Sequence, residues 1–385
     1  MPYLITLFFL FFSYSAIGSV TVSPIPDVIK SSDPVPEVSA SSWLLVDYET
    51  GWILAEENAD KRIEPASLTK LMTSYLVFDA LASKEVKLSD EVYISKAAWQ
   101  TGGSRMFLQV DTHVTIGDLI KGLIIQSGND ASVALAEHLG GSQAGFAKRM
   151  NRMAEKLGMT NSHFTNSSGL PDEDHYSTAK DMTILSISLI EKFPEYYVYY
   201  SEKEFTYNNI TQKNRNVLLW RDASVDGVKT GYTQRAGYCL IGSAKRDGMR
   251  LVAVVAGASS KKQRANMVQS LLQFGYSAYE TLVLYRAGAE VKSLPLWMGK
   301  VDKAKVGLMN TLSVLFPKGQ STDLSALLKL PESLEAPLNK GKEIGSINIK
   351  FAGEPVLNKS LHVVEGYAEG SLVDKVMSSV KRFLH

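Results

Sequence analysis

Two groups of apolar, strand-like segments lie far apart in the chain, and bringing them together is what most restricts its fold. Residues 43–47 are apolar, Glu49-Thr50-Gly51 is a turn, and residues 52–55 are apolar again, which reads as a β-hairpin. Far downstream, residues 225–230 read as a strand. Residues 238–244 and 251–256 then flank Lys245-Arg246-Asp247-Gly248 as a second hairpin. The residues between follow a helical period instead. Strands from both ends can join one antiparallel sheet with helices against it. The expected class is therefore α/β (α+β), a sheet with a large helical insertion.

The helices expected in the insertion run from Ser67 to about Ala82, 119–126, 130–139, 142–157 and 178–192, with a closing helix over 261–280. Thr115 to Asp118 resembles a capping box, and Gly158 stops the helix 142–157. Residues 99–107 form a Gly-centred loop expected to be mobile, and residues 161–176 a polar loop. These elements make one domain over 41–280. Beyond it, short alternating segments at 282–285, 290–294, 306–309, 312–316, 343–351 and 361–364 are punctuated by Gly and Pro. They read as a small all-β domain over 281–370. In 371–385, Leu372, Val373, Val376, Met377, Val380, Phe383 and Leu384 share one helical face, with Lys375, Lys381 and Arg382 off it. That pattern suits a helix lying in a membrane interface.

The N-terminus is read separately. Residues 4–12 are apolar but too short to span a bilayer, and Ala16-Ile17-Gly18 is small where a signal peptidase cuts. Residues 1–18 are expected to be a secretory signal, although the first residues carry no Lys or Arg. Residues 19–40, rich in Ser, Pro and Val, are expected to be a linker. The single cysteine, Cys239, allows no internal disulfide, and the net charge of +1 argues against a nucleic-acid binder.

Chemistry enters at Pro65-Ala66-Ser67-Leu68-Thr69-Lys70. Helical side chains three residues apart share a face, so Lys70 can reach the Ser67 hydroxyl. Serine is a weak nucleophile until a base takes its proton, and a lysine can be that base when burial and nearby cations lower its pKa. The spacing alone is uninformative, since it recurs at Ser177–Lys180, Ser259–Lys262 and Ser378–Lys381. Only the first opens an apolar helix behind a proline. Two further motifs follow it: Ser127-Gly128-Asn129 between two helices, and Lys229-Thr230-Gly231 at a strand end. Glycine there lets a substrate backbone approach closely. The ordered triple is the pattern of penicillin-binding proteins and class A β-lactamases.

With residues 124–131, Asn166-Ser167-Ser168-Gly169-Leu170-Pro171 and Asp226 to Thr233 added, the chain resembles the serine D-alanyl-D-alanine carboxypeptidases. Within these it resembles the low-molecular-mass penicillin-binding proteins of the 5 and 6 type, over nearly the whole mature chain. The resemblance implies a transpeptidase-like fold, a peptidoglycan pentapeptide substrate, covalent inhibition by β-lactams, and no metal or organic cofactor. It implies that Ser67 is the nucleophile, Lys70 the base for acylation, and Ser127 a proton relay to the leaving D-alanine. It assigns substrate binding to Asn129, Lys229, Thr230, Gly231, Tyr232 and Arg215, with the backbone N–H groups of Ser67 and Tyr232 as oxyanion hole. It further implies export to the outer face of the inner membrane and a role in cell wall biogenesis and shape.

Two positions depart from the pattern. Tyr232 stands where many relatives carry His, and Ser259 where some carry an arginine near the substrate carboxylate. Competing readings are a β-lactamase, which needs a positioned carboxylate for deacylation, and a scaffold that binds stem peptides without turnover. His113, His138, His163 and His175 lack metal-ligand spacing, and Asp172-Glu173-Asp174 reads as a solvated loop.

Overall fold

The structure is a computed structural model that describes residues 20–384. The expected signal segment lies outside the described residues.

Ser42–Asp47 and Trp52–Glu57 form the first hairpin, and Gly237–Arg246 and Met249–Ala258 the second. They meet directly. Val254 stands opposite Leu44 on one side and Ile241 on the other, both antiparallel. Val225–Thr233 pairs with Gly237–Arg246 and closes this edge of the sheet. Every residue of Ser42–Asp47 is buried, so successive side chains feed two cores. Leu44 and Val46 face the helical insertion, with Leu71, Tyr75, Phe78 and Leu123. Trp43 and Leu45 face the helix Lys261–Ala278, with Val268 and Leu272.

The stretch expected as a linker is not one. Ser23–Pro24 adds a parallel strand beside Trp52–Glu57, and Val22, Ile25, Ile29 and Val38 are buried. Apolar residues at irregular spacing carry no period to read, yet these four join the two cores.

The core on the Trp43 side continues into the C-terminal domain, where Leu294, Val306, Val314, Ile347 and Val363 belong to the same cluster. There Tyr279–Tyr285 pairs with Leu312–Pro317. A six-stranded sheet follows in the order Leu324–Lys329, Glu343–Phe351, Glu354–Val363, Lys303–Gly307, Glu290–Trp297, Leu334–Glu335. Two of these strands, Leu324–Lys329 and most of Glu354–Val363, have too little alternation to be read from sequence. The chain ends in the helix Leu372–Leu384.

Candidate active site

Ser67 is not on the α-helix proper. Ala66–Thr69 make a single 3-10 turn, and the α-helix begins at Lys70 and runs to Ala82. Ala66 takes a φ of 48°, a left-handed value that side-chain-bearing residues seldom adopt and that persists only where surroundings impose it. Two neighbours do so. Gly169, at φ 80°, packs so close that a Cβ would lie 1.7 Å from the Ala66 carbonyl oxygen. A Cβ on Gly231 would meet Pro65 O at 3.1 Å and Leu68 Cγ at 3.3 Å. Glycine at 231 therefore admits this turn of the chain itself.

Lys70 is 1% exposed. Its Nζ lies 3.0 Å from Ser67 Oγ, 2.7 Å from Asn129 Oδ1 and 2.7 Å from the Ser168 carbonyl oxygen. The Asn129 amide is oriented by its other end, where Nδ2 donates to Gly102 O at 2.7 Å, so Oδ1 is the atom facing the lysine. Two of the three partners are carbonyl oxygens and can only accept. A neutral amine has two N–H bonds for them and one lone pair left, which points at the Ser67 hydroxyl. Burial, and then the Arg215 charge, push Lys70 down to about 7. The base form is thus accessible near neutral pH.

Ser127 also has a left-handed φ, 64°, at the end of the π-helical turn Gly122–Gln126. Such turns recur at functional sites. The Gly128 N–H donates back to Gly122 O at 2.9 Å and fixes the reversal. Lys229 Nζ donates to Ser127 Oγ at 2.8 Å and to Thr230 O at 3.1 Å. Lys229 is 3% exposed. Burial first, then the charges of Lys70, Arg215 and Arg264, hold its amine well below the usual lysine range. Like charges this close in a dry site oppose each other's protonation.

The residues expected to act together do converge. Ser67, Ser127, Asn129, Arg215, Thr230, Gly231 and Tyr232 line one cleft of about 680 Å³, with Lys70 and Lys229 at its floor. No carboxylate lines it among the described residues. Arg215 forms no ion pair among the described residues, so its charge acts on the two lysines. Tyr232 is exposed and stacks on Tyr238 with ring centroids 4.3 Å apart. Ser259 turns to Gln263. The cations on that wall are Lys261 and Arg264, and the Arg264 Nη1 donates to Gly231 O at 2.8 Å.

The sequence assigns no individual role to several residues that shape this cleft. Ser168 contributes only its backbone carbonyl. It is aimed by Asn166, whose Oδ1 accepts from the N–H groups of Ser168, Gly169 and Leu170. Asp130 accepts from the Met106, Phe107 and Leu108 N–H groups, so the end of the loop expected to be mobile is tied down. Arg264 lies on a helix whose pattern shows only its packing. His175 is buried beside the Ser67 turn, 2.8 Å from Thr69 Oγ1.

Comparison with known proteins identifies the family of the chain. A family model described as D-alanyl-D-alanine carboxypeptidase matches residues 28–260, and one described as penicillin-binding protein 5, C-terminal domain, matches 279–368. The chain is 43% identical over 358 residues to the D-alanyl-D-alanine carboxypeptidase DacC of Escherichia coli, covering 91% of this chain and 90% of that one. It is 40% identical over 366 residues to DacA of the same organism, covering 93% and 91%. The crystal structure of penicillin binding protein 5 from Haemophilus influenzae superposes with a TM-score of 0.80 at 40% identity, over 88% of this chain and 99% of that one.

Proposed function

The chain belongs to the D-alanyl-D-alanine carboxypeptidase family, of the penicillin-binding protein 5 and 6 type, and from that premise we propose how its residues divide the work. It is a serine-type D-Ala-D-Ala carboxypeptidase. Ser67 Oγ bonds to the carbonyl carbon between the two D-alanines as its proton passes to neutral Lys70. The developing oxyanion lies against the Ser67 and Tyr232 N–H groups, where losing one such donor typically costs about 10²–10³ in rate. The C–N bond then breaks. The leaving amine takes a proton through Ser127, which hydrogen-bonds Lys229. Water hydrolyses the resulting ester, returning Ser67 and releasing the shortened peptide. Asn129 positions Lys70 and the substrate amide, and Thr230, Lys229 and Arg215 favour the terminal carboxylate. A β-lactam enters by the same first step. The observation that carries this reading is the buried amine of Lys70, held by the Asn129 and Ser168 carbonyl oxygens within 3.0 Å of Ser67 Oγ.

Incubation with benzylpenicillin followed by mass spectrometry should place one adduct on Ser67. D-alanine should be released from a pentapeptide ending in D-Ala-D-Ala. An adduct elsewhere, or release that survives Ser67→Ala, would overturn the assignment.

The same proposal places the protein on the outer face of the inner membrane, exported by the segment 1–18 and held by its last helix, with a role in cell wall biogenesis and shape. The support is the way that helix is mounted. Leu372, Val373, Val376, Met377 and Val380 are exposed, the first at 82%. Its polar side is pinned to the domain by Ser378 Oγ, which accepts from the Met298 N–H at 2.9 Å, and by Lys381 on Asp302 at 3.1 Å. An apolar face turned outward while the charges face inward fits a lipid surface. No helix among the described residues is long and apolar enough to cross a membrane. Deleting 371–385 should move the protein from the membrane to the soluble fraction. Retention on the membrane would count against this part.

A further inference from the structure

We propose that His175 is a positioning residue for the reaction, a strut that holds the Ser67–Lys70 turn against the loop 165–170 and keeps water from Lys70. The ring lies between the two segments that hold the lysine. The Thr165 backbone N–H is 3.1 Å from Nδ1 and can only donate, so Nδ1 is an acceptor and the proton sits on Nε2. Nε2–H then donates to Thr69 Oγ1 at 2.8 Å. Thr69 lies between Ser67 and Lys70 in the turn. Thr165 immediately precedes Asn166, whose side chain shapes the loop that presents Ser168 O to Lys70. Phe164 meets the ring edge-on at 5.7 Å and closes the remaining side.

This tautomer is stable. Burial holds the imidazole down to about 4, and the charges of His163 and Lys70 act the same way, against Asp172. The ring therefore stays neutral across the working range and the strut does not switch. His175 is absent from the lining of the cleft, so it acts through Lys70 and not on the substrate. Lys70 owes its lowered pKa first to burial, then to Arg215, with Asp130 opposing, and Lys229 lies nearby. None of these groups changes when the strut is cut. What changes is hydration of Lys70, and water raises its pKa.

The inference rests on Lys70 being the base, and the test separates the two. In the wild type, the rate of acylation by benzylpenicillin should fall on the acid side as Lys70 protonates. A wild type without that acid limb sinks the assignment of Lys70 itself. Given the limb, His175→Ala should lower kcat for D-alanine release roughly tenfold, since small misplacements of a catalytic group are costly. KM should change by less than about twofold, and the acid limb should move up by about one pH unit. His175→Gln, whose amide N–H can still reach Thr69, should recover most of the loss. Thr69→Val should reproduce it, and the double variant should be no worse than either single one, the signature of a shared contact. A folded His175→Ala protein with unchanged kcat and acid limb, or one that loses only thermal stability, overturns the proposal. If His175→Ala does not fold, Thr69→Val decides, and an unmoved limb in that variant overturns it equally.

Discussion

Lys70 and Lys229 in the cleft, and Lys375, Lys381 and Arg382 on the terminal helix, are cations placed under opposite conditions. The cleft lysines are 1% and 3% exposed and their hydrogen bonds go to neutral oxygens. The helix cations each face a carboxylate, Lys375 on Glu369 at 2.6 Å, Lys381 on Asp302 at 3.1 Å and Arg382 on Glu335 at 3.4 Å. All three pairs are open to water, which screens them and leaves little net energy in each. In the cleft no water screens the charge and no carboxylate pairs with it, and Asp130 only partly offsets burial at Lys70, so the charged form is disfavoured. Dehydration turns a surface charge into a base, and the difference lies in the surroundings, not in the residue.

The sharpest way to break this comparison is one substitution made in both places. Lys70→Arg keeps the charge but cannot give up its proton near neutral pH. Acylation by benzylpenicillin should drop by about 10²–10⁴, the range of general-base contributions. Lys381→Arg should leave the acylation rate and the unfolding midpoint unchanged. Equal effects at the two sites would show that burial is not what matters.

Next in size is the pH dependence. Lys70 is pushed down to about 7, so its neutral form dominates above that pH. Below it the base form, and with it the acylation rate, should fall roughly tenfold per unit. Flat rates between pH 5 and 7 in stopped-flow or adduct assays would contradict the assignment.

A smaller effect is expected at Asp130, whose carboxylate takes three backbone N–H groups of the loop over Asn129. Asp130→Asn keeps the shape but loses acceptor capacity and charge. It should cost about 1–3 kcal/mol in unfolding free energy and lower acylation through Asn129. The smallest is Asp302→Asn on the helix side, expected within about 0.5 kcal/mol of wild type by denaturant unfolding.

Much of this was legible in the residues. The two hairpins declare themselves by alternation and by Gly- and Asp-containing turns, and the helices by their period and by end signals such as Thr115 and Gly158. The three motifs name the polar atoms on the cleft because those atoms belong to side chains of distinctive type. What escaped is of another kind. Ser168 acts through a carbonyl that every residue possesses. The Thr69–His175 pair spans 106 residues and neither partner is unusual alone. In residues 20–40, Val22, Ile25, Ile29 and Val38 are buried at irregular spacing, so they show no period. Ser67 was expected on the helix, but Ala66 takes a left-handed φ and the turn packs against Gly169 and Gly231, where a Cβ would crowd it.

The sequence by itself determined which groups this chain can bring to chemistry, the hydroxyls of Ser67 and Ser127, the amines of Lys70 and Lys229 and the amide of Asn129, because bonding capacity belongs to the side chain. The state in which they arrive was decided only by the tertiary structure. Whether Lys70 is a cation or a base depends on water excluded by residues about 60 to 100 positions away and on the charge of Arg215 in the same cleft. Solvation and Coulomb energy are functions of distance in space, and chain spacing does not encode them.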